Sequence, residues 1–459
     1  MLIQVFLTVL LVTLYKDQSK MKKFYLLLFV LFTATASFTQ EGFQFTSPKK
    51  SIKIPFQLIN NLIIIPVEVN GVKLNFLLDT GVENTVLFSL EDADALQFKQ
   101  IEKIKIRGLG SGNTIDALHS KKNKVSINNF TDSNHDIYII LDEDINFSSQ
   151  LGIPVHGIIG YEFFKNHFIE INYSRNKINI YKNKAYFPIR KIKKYDEIII
   201  TLELQKPYIE TSIKIHEKDI KTKLLVDSGA SDAIWLFENK INIQSSKTFF
   251  NDLLGRGFSG NIYGKRSRIK KIIIGKNEIF NSTTSFPDSL SMQNANIVEG
   301  RNGSLGGEIL KRFDVLFDYK NKKMYVKKNA NFNEPFNYNM SGIEIQHNGL
   351  QWIKEVVELK TQLANSEIAV IEEREKSFKY NFLLKPLYEV TNVREDSPGA
   401  KAGVRKGDII AKINGNYAFK YKLKDITELL QSEEGKTINI EVERKGLILK
   451  LKFKLKKIL

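Results

Sequence analysis

Between residues 52 and 181 the apolar positions come in short runs broken by Gly and Asn, at 62–69, 73–78, 125–127, 137–141 and 168–181. Short runs rich in Ile, Val, Leu and Phe and bounded by turn residues predict strands of a small closed sheet with few helices. The rhythm then starts again. Phe76-Leu77-Leu78 runs into Asp79-Thr80-Gly81 and is followed by Val86-Leu87-Phe88; Leu224-Leu225-Val226 runs into Asp227-Ser228-Gly229 and is followed by Ile234-Trp235-Leu236. The two aspartates lie 148 positions apart. A second landmark, Gly157-Ile158-Ile159-Gly160-Tyr161-Glu162-Phe163-Phe164-Lys165, returns 146 positions later as Gly303-Ser304-Leu305-Gly306-Gly307-Glu308-Ile309-Leu310-Lys311. Two landmarks in the same order at nearly equal offsets indicate a duplicated lobe.

Beyond residue 328 the pattern changes. Residues 329–339 are polar and Asn-rich with Pro335, a composition that predicts a connection between domains. Residues 423–430 place Ile426, Leu429 and Leu430 at helical spacing. In the final strand Leu449, Leu451, Phe453 and Leu455 alternate with Lys450, Lys452, Lys454 and Lys456, and such lysines protect a sheet edge from unwanted pairing. Residues 354–363 and 377–384 predict an inserted hairpin around the Glu-rich 364–375.

The Asp-Thr/Ser-Gly turns after apolar strands, each followed by an apolar-Gly segment and a short helix, resemble the aspartic peptidases. Pepsin-type members carry two lobes in one chain, and retroviral proteases build the same site from two subunits. Ser397-Pro398-Gly399-Ala400-Lys401-Ala402-Gly403-Val404-Arg405-Lys406-Gly407-Asp408-Ile409-Ile410, then Ile413-Asn414-Gly415, resembles the PDZ signature of bacterial proteases. Together they make the chain similar to bacterial retropepsin-like peptidases with a fused PDZ domain. Ser304 departs from the family pattern, which prefers an apolar residue there.

The resemblance implies a mainly β fold: two duplicated acid-protease β-barrel lobes in one chain plus a small α/β PDZ domain. The expected divisions are 1–36, an upstream segment and signal peptide; 45–185 and 186–328, the two lobes; 329–339, a linker; and 340–459, the PDZ domain with its inserted hairpin. Asp79 and Asp227 are the expected catalytic pair, with Thr80, Gly81, Ser228 and Gly229 supporting the loops. Gly108, Gly110 and Gly112 mark a flap, whose tip needs the freedom glycine supplies. Ser341, Gly342, Ile343 and Ile345 would form the PDZ carboxylate loop and groove strand, and Ile426, Leu429 and Leu430 its groove helix. PDZ domains bind peptide by strand addition and often hold a terminal carboxylate on backbone N–H groups.

The residue types suit the chemistry. Hydrolysing an amide needs an activated water and a proton for the leaving nitrogen. Two carboxylates held close together cannot both ionise cheaply, so they share one proton. The ionised member acts as base and the protonated one polarises the carbonyl. No metal or organic cofactor is needed. The six histidines show no His-Glu-x-x-His pairing, and neither a Gly-x-Ser-x-Gly elbow nor a Walker-type loop occurs.

Composition narrows the rest. With no Cys, disulfides and thiol chemistry are excluded. Met21-Lys22-Lys23, the nine apolar residues 24–32 and Ala34-Thr35-Ala36 have the three parts of a secretory signal, with Met21 the expected start. Nine residues fall short of the ~20 that span a bilayer, so no stable membrane anchor is expected. Four lysines and one aspartate lie in residues 1–36, leaving +14 of the chain's +17. Those charges are dispersed without a nucleic-acid motif, and nucleic acid is not an expected partner. The sequence thus predicts a periplasmic or secreted aspartic endopeptidase. Its expected partners are polypeptide substrates, including C-terminal segments held in the PDZ groove. The rival reading is a non-catalytic periplasmic peptide-binding scaffold that acts through the PDZ domain.

Overall fold

Each half of the peptidase region runs one circuit of strands. The computed structural model describes residues 42–88, 96–106, 114–142, 145–239, 242–293, 297–358 and 378–459; the expected signal segment lies outside them. In the first lobe Leu62–Val69 pairs with Val72–Leu78, which runs parallel to Gly157–Ile159. Gly157–Ile159 pairs with Thr85–Leu87, which lies parallel to Phe130–Ile140. The 13-residue strand Ile115–Ile127 closes the ring, because it is long enough to reach both Phe130–Ile140 and Glu68-Val69.

The second lobe repeats the circuit with Lys206–Ile215, Lys218–Val226, Arg301–Leu305, Ile234–Leu236 and Thr283–Pro287. Here both long strands are interrupted. Gly260–Arg268 gives way to Lys271–Ile274, and Asn277–Phe280 to Thr283–Pro287 across Asn281 at φ 53°. The barrel expected for each lobe is therefore continuous only in the first.

The lobes share a sheet. Ser51–Pro55, Lys177–Tyr181 and Phe168–Asn172 from the first half continue into Phe313–Asp318, Lys323–Lys328 and Asp196–Glu203 from the second. Its middle pair sets Ile169 against Phe317 and Ile171 against Val315, all fully or nearly fully buried. Each such side chain contributes roughly 1.5–3 kcal/mol by leaving water, so the two lobes rest on one apolar foundation.

The C-terminal domain is a sheet ordered Ile343–Glu358, Phe378–Val393, Ile409–Ile413, Thr437–Arg444, Leu447–Lys454, with the helix Leu423–Leu430 against it. Buried Asp408 of the signature accepts from both Nε (2.6 Å) and Nη2 (2.7 Å) of Arg444. The described arms of the expected hairpin are the outer ends of the first two strands, and its tip, residues 359–377, lies outside the described residues. The first two strands continue outward as one ribbon, paired from Ile343↔Val393 to Glu358↔Phe378.

Residues 329–339 are not a free linker. Arg312, 1 % exposed, donates to the carbonyls of Phe332 (3.2 Å), Asn331 (3.4 Å) and Pro335 (3.4 Å), and also to that of Glu334. Its guanidinium lies 3.7 Å from the centre of the Phe336 ring. The segment that reads as a loose connection instead solvates a buried cation with its backbone carbonyls.

Candidate active site

Both Asp turns are built alike. Strand Val72–Leu78 is held in register with Gly157–Ile159, and the Asp79 N–H donates to Ile159 O at 2.9 Å. Strand Lys218–Val226 is held by Arg301–Leu305, and the Asp227 N–H donates to Leu305 O, also at 2.9 Å. Parallel pairing to a short crossing strand thus delivers each carboxylate at a strand end.

The hydroxyls lock the turns together across the lobes. Thr80 N–H donates to Ser228 Oγ and Ser228 N–H to Thr80 Oγ1, both at 3.0 Å. Thr80 Oγ1 donates to Val226 O at 2.6 Å, and Ser228 Oγ to Leu78 O at 2.9 Å. Both residues are 1 % exposed, and bonds made away from water are expensive to leave unmade.

The glycines lie against the opposite carboxylates. A Cβ on Gly81 would stand 2.9 Å from Asp227 Oδ1, and one on Gly229 would collide with the Asp79 carboxylate. Each also donates its N–H back to its own loop's aspartate, Gly81 to Asp79 Oδ1 at 2.6 Å and Gly229 to Asp227 Oδ1 at 3.1 Å. Asp79 is 8 % exposed and Asp227 is half-buried. Burial, then the charge of Asp227, holds the Asp79 carboxyl well above the usual range. Burial also raises Asp227, opposed by Arg301 and by the hydrogen bond with Asp79. The arrangement favours one proton shared by the pair.

Arg301 and Ser304 form a feature the sequence reading missed. Arg301 donates to Gly303 O (3.0 Å) and to Ser304 Oγ (2.7 Å), and its guanidinium lies 5.3 Å from the Phe237 ring centre. Ser304, the departure from the apolar pattern, fastens a cation whose field reaches Asp227. The matching position in the first lobe is Val155, fully buried and uncharged. A lone polar residue in an apolar motif was the only available signal.

The flap residues Gly108, Gly110 and Gly112 lie outside the described residues. The arms leading to them are paired, from Ile101↔Ser120 to Ile106↔Ile115. In the second lobe Phe258, at the turn between Phe250–Gly257 and Gly260–Arg268, packs its ring 6.3 Å from that of first-lobe Phe147.

In the C-terminal domain the expected groove residues divide. Ser341, Gly342 and Ile343 are buried, with their N–H groups already bonded inside the loop. Ile345 lines a cavity together with Lys424, Thr427 and Glu428 of the helix and Gln431 at its C-terminal cap. Ile426 and Leu430 point instead into the domain core, with Leu429 packed at its margin. Among the described residues no group of three or more His, Asp or Glu is placed to hold a metal ion. None of the described helices is long and apolar enough to cross a membrane.

The aspartyl protease family profile matches residues 65–163, and the PDZ domain profile matches residues 389–444. No curated protein matches the chain. The first match holds Asp79 and its crossing strand; the relation of the second lobe to it rests on the repeated circuit of strands. The chain carries an aspartyl protease domain followed by a C-terminal PDZ domain.

Proposed function

We propose that this chain is an exported aspartic endopeptidase in which Asp79 and Asp227 activate a water for attack on a peptide bond, and the PDZ domain engages polypeptide substrate. The observation that carries the reading is the reciprocal Thr80–Ser228 locking of two buried Asp turns from opposite lobes. Asp227, kept ionised by Arg301, takes the proton of the water. Asp79, protonated, donates its proton to the carbonyl oxygen of the scissile bond; as the C–N bond then breaks, Asp227 passes the water's proton to the leaving nitrogen and Asp79 takes one back from a hydroxyl of the tetrahedral diol. Export rests on the signal-like residues 21–36 and is tested by N-terminal sequencing of the mature protein, where an intact Met21 on the exported chain counts against cleavage.

The decisive assay is hydrolysis of an unfolded protein by the wild type and by Asp79→Asn and Asp227→Asn. Because the pair works as a unit, either substitution should remove nearly all turnover and the double variant should be little worse. Retention of tens of per cent by Asp79→Asn would exclude a shared site. A fully active chain with both residues replaced would exclude the dyad altogether.

A further inference from the structure

The PDZ groove is filled at both ends by this chain's own groups. In its loop, Ser341 and Gly342 donate their N–H groups to Asn339 Oδ1 at 3.0 and 3.1 Å. Ser341 Oγ donates to the same oxygen at 2.6 Å and accepts from the Ile343 N–H at 3.1 Å. Asn339 Nδ2 is fixed in turn on Ile343 O at 2.9 Å. Successive amides turned towards one oxygen form a nest for an anion, the device by which peptide-binding domains capture a terminal carboxylate. Here a carboxamide oxygen stands where that carboxylate would.

At the other end lies the first lobe. Helix Phe147–Leu151 lies against strand Ile343–Glu358. It ends on Gly152 in the left-handed region (φ 67°), so close to the groove helix that a Cβ there would stand 2.7 Å from Leu423 Cβ. Gln150 and Leu151 share with Ile345, Gln346 and Thr427 the lining of a cavity of about 660 Å³.

A third contact fixes the loop to the second lobe. Arg394 donates its N–H to Gly342 O at 2.8 Å and lays its guanidinium 4.1 Å from the Phe250 ring centre. That guanidinium lies 3.6 Å from Asp252, which pairs with Arg266 at 3.0 Å. Arg266 then pairs at 2.9 Å with Asp232, five residues beyond Asp227. Breaking a buried pair by removing one partner is costly, so this chain of charges holds the groove in its docked position.

We propose that the PDZ groove is autoinhibited by internal ligands, with Asn339 in the carboxylate nest and helix Phe147–Leu151 at the far end. A peptide ending in a free carboxylate then enters only by displacing Asn339. The inference rests on the reading of the domain as a peptide-binding module.

The test uses the full chain carrying Asp79→Asn, so that no peptide is consumed and the result does not depend on the dyad. The probes are fluorescein-labelled octapeptides randomised at the last four positions, prepared as free acids and as C-terminal amides and followed by anisotropy. With Asn339 in place the two pools should bind alike. Asn339→Ala should bind the acid pool at least about tenfold tighter than the amide pool, the gain of one charge-assisted contact. Asn339→Asp keeps an oxygen in the nest and adds repulsion, and should show no preference. Asn339→Gly carries the same expectation as Asn339→Ala should the alanine variant not fold. The proposal is overturned if the chain with Asn339 already prefers the acid pool tenfold. It is equally overturned if the folded Ala or Gly variant shows no preference.

Discussion

Asp79 and Asp227 sit in matching turns but in unequal fields. Arg301 is the chief influence opposing the rise at Asp227, while Lys206 is the least of those acting on Asp79, so in the proposed mechanism Asp79 keeps the proton. Because its folded value is raised, the pair holds that proton as pH climbs and loses it on passing the raised value; on the acid side Asp227 takes up a second. Activity should follow a bell with its optimum in the weakly acidic to neutral range. Val82 and Ala230, which follow the two glycines, carry no hydroxyl to stabilise the ionised form. Val82→Thr with Ala230→Ser should move the whole bell towards acid, and a wild-type optimum near pH ~2–3 would contradict the argument. Arg301→Met should raise the acid limb alone, since the cation's pull on Asp227 is lost. The same shift has a thermodynamic face: a raised acid contributes stability at low pH that is lost as pH rises through its folded value. Asp79→Asn should therefore melt higher than wild type at neutral pH, with the gain vanishing below the usual carboxylate range. A melting curve at two pH values checks it without any substrate.

Among elements, the turn–turn lock carries the largest single consequence. Thr80→Val removes the donor to Val226 O and the acceptor of Ser228 N–H, two buried groups that cost about 1–3 kcal/mol each when unpaired. Thr80→Ser keeps both. The expected denaturant midpoints fall well below wild type for Val and near it for Ser. These turns were legible in the sequence because Asp, a hydroxyl and Gly must be adjacent, and because the pattern recurs. Arg301 was not, since its reach to Asp227 depends on how strand 301–305 lies beside 218–226. Asn339 was illegible for a related reason: only the curl of the loop brings its carboxamide onto amides two and three residues ahead. The linker misled by composition, as Asn and Pro mark turns whether or not their carbonyls have work inside the protein. The repeated circuit, by contrast, followed from two landmarks that recur in the same order at offsets of 148 and 146. Its interruptions at 269–270 and 281–282 had no counterpart in that pattern.

At the scale of the whole molecule, Arg312 makes the length of any truncation decisive. A chain ending at residue 330 loses the carbonyls of Asn331, Phe332, Glu334 and Pro335 and leaves the Arg312 guanidinium with Glu308 alone; one ending at Asn339 keeps them. The shorter chain should unfold at lower temperature. The longer should still cleave short peptides, since both Asp turns and their crossing strands lie upstream. A longer chain that folds but cuts no peptide would mean the PDZ domain helps to build the site. The shared sheet adds a constraint on timing. Ser51–Pro55 waits for Lys177–Tyr181, Phe168–Asn172 for Phe313–Asp318, and Asp196–Glu203 for Lys323–Lys328. Pairings so distant along the chain form late and slowly. The lobes have no common floor until residues 313–318 have emerged and paired with Phe168–Asn172. Until then the Thr80–Ser228 lock spans two turns with no shared sheet beneath them, so on the proposed reading a working pair of carboxylates is among the last things the chain completes.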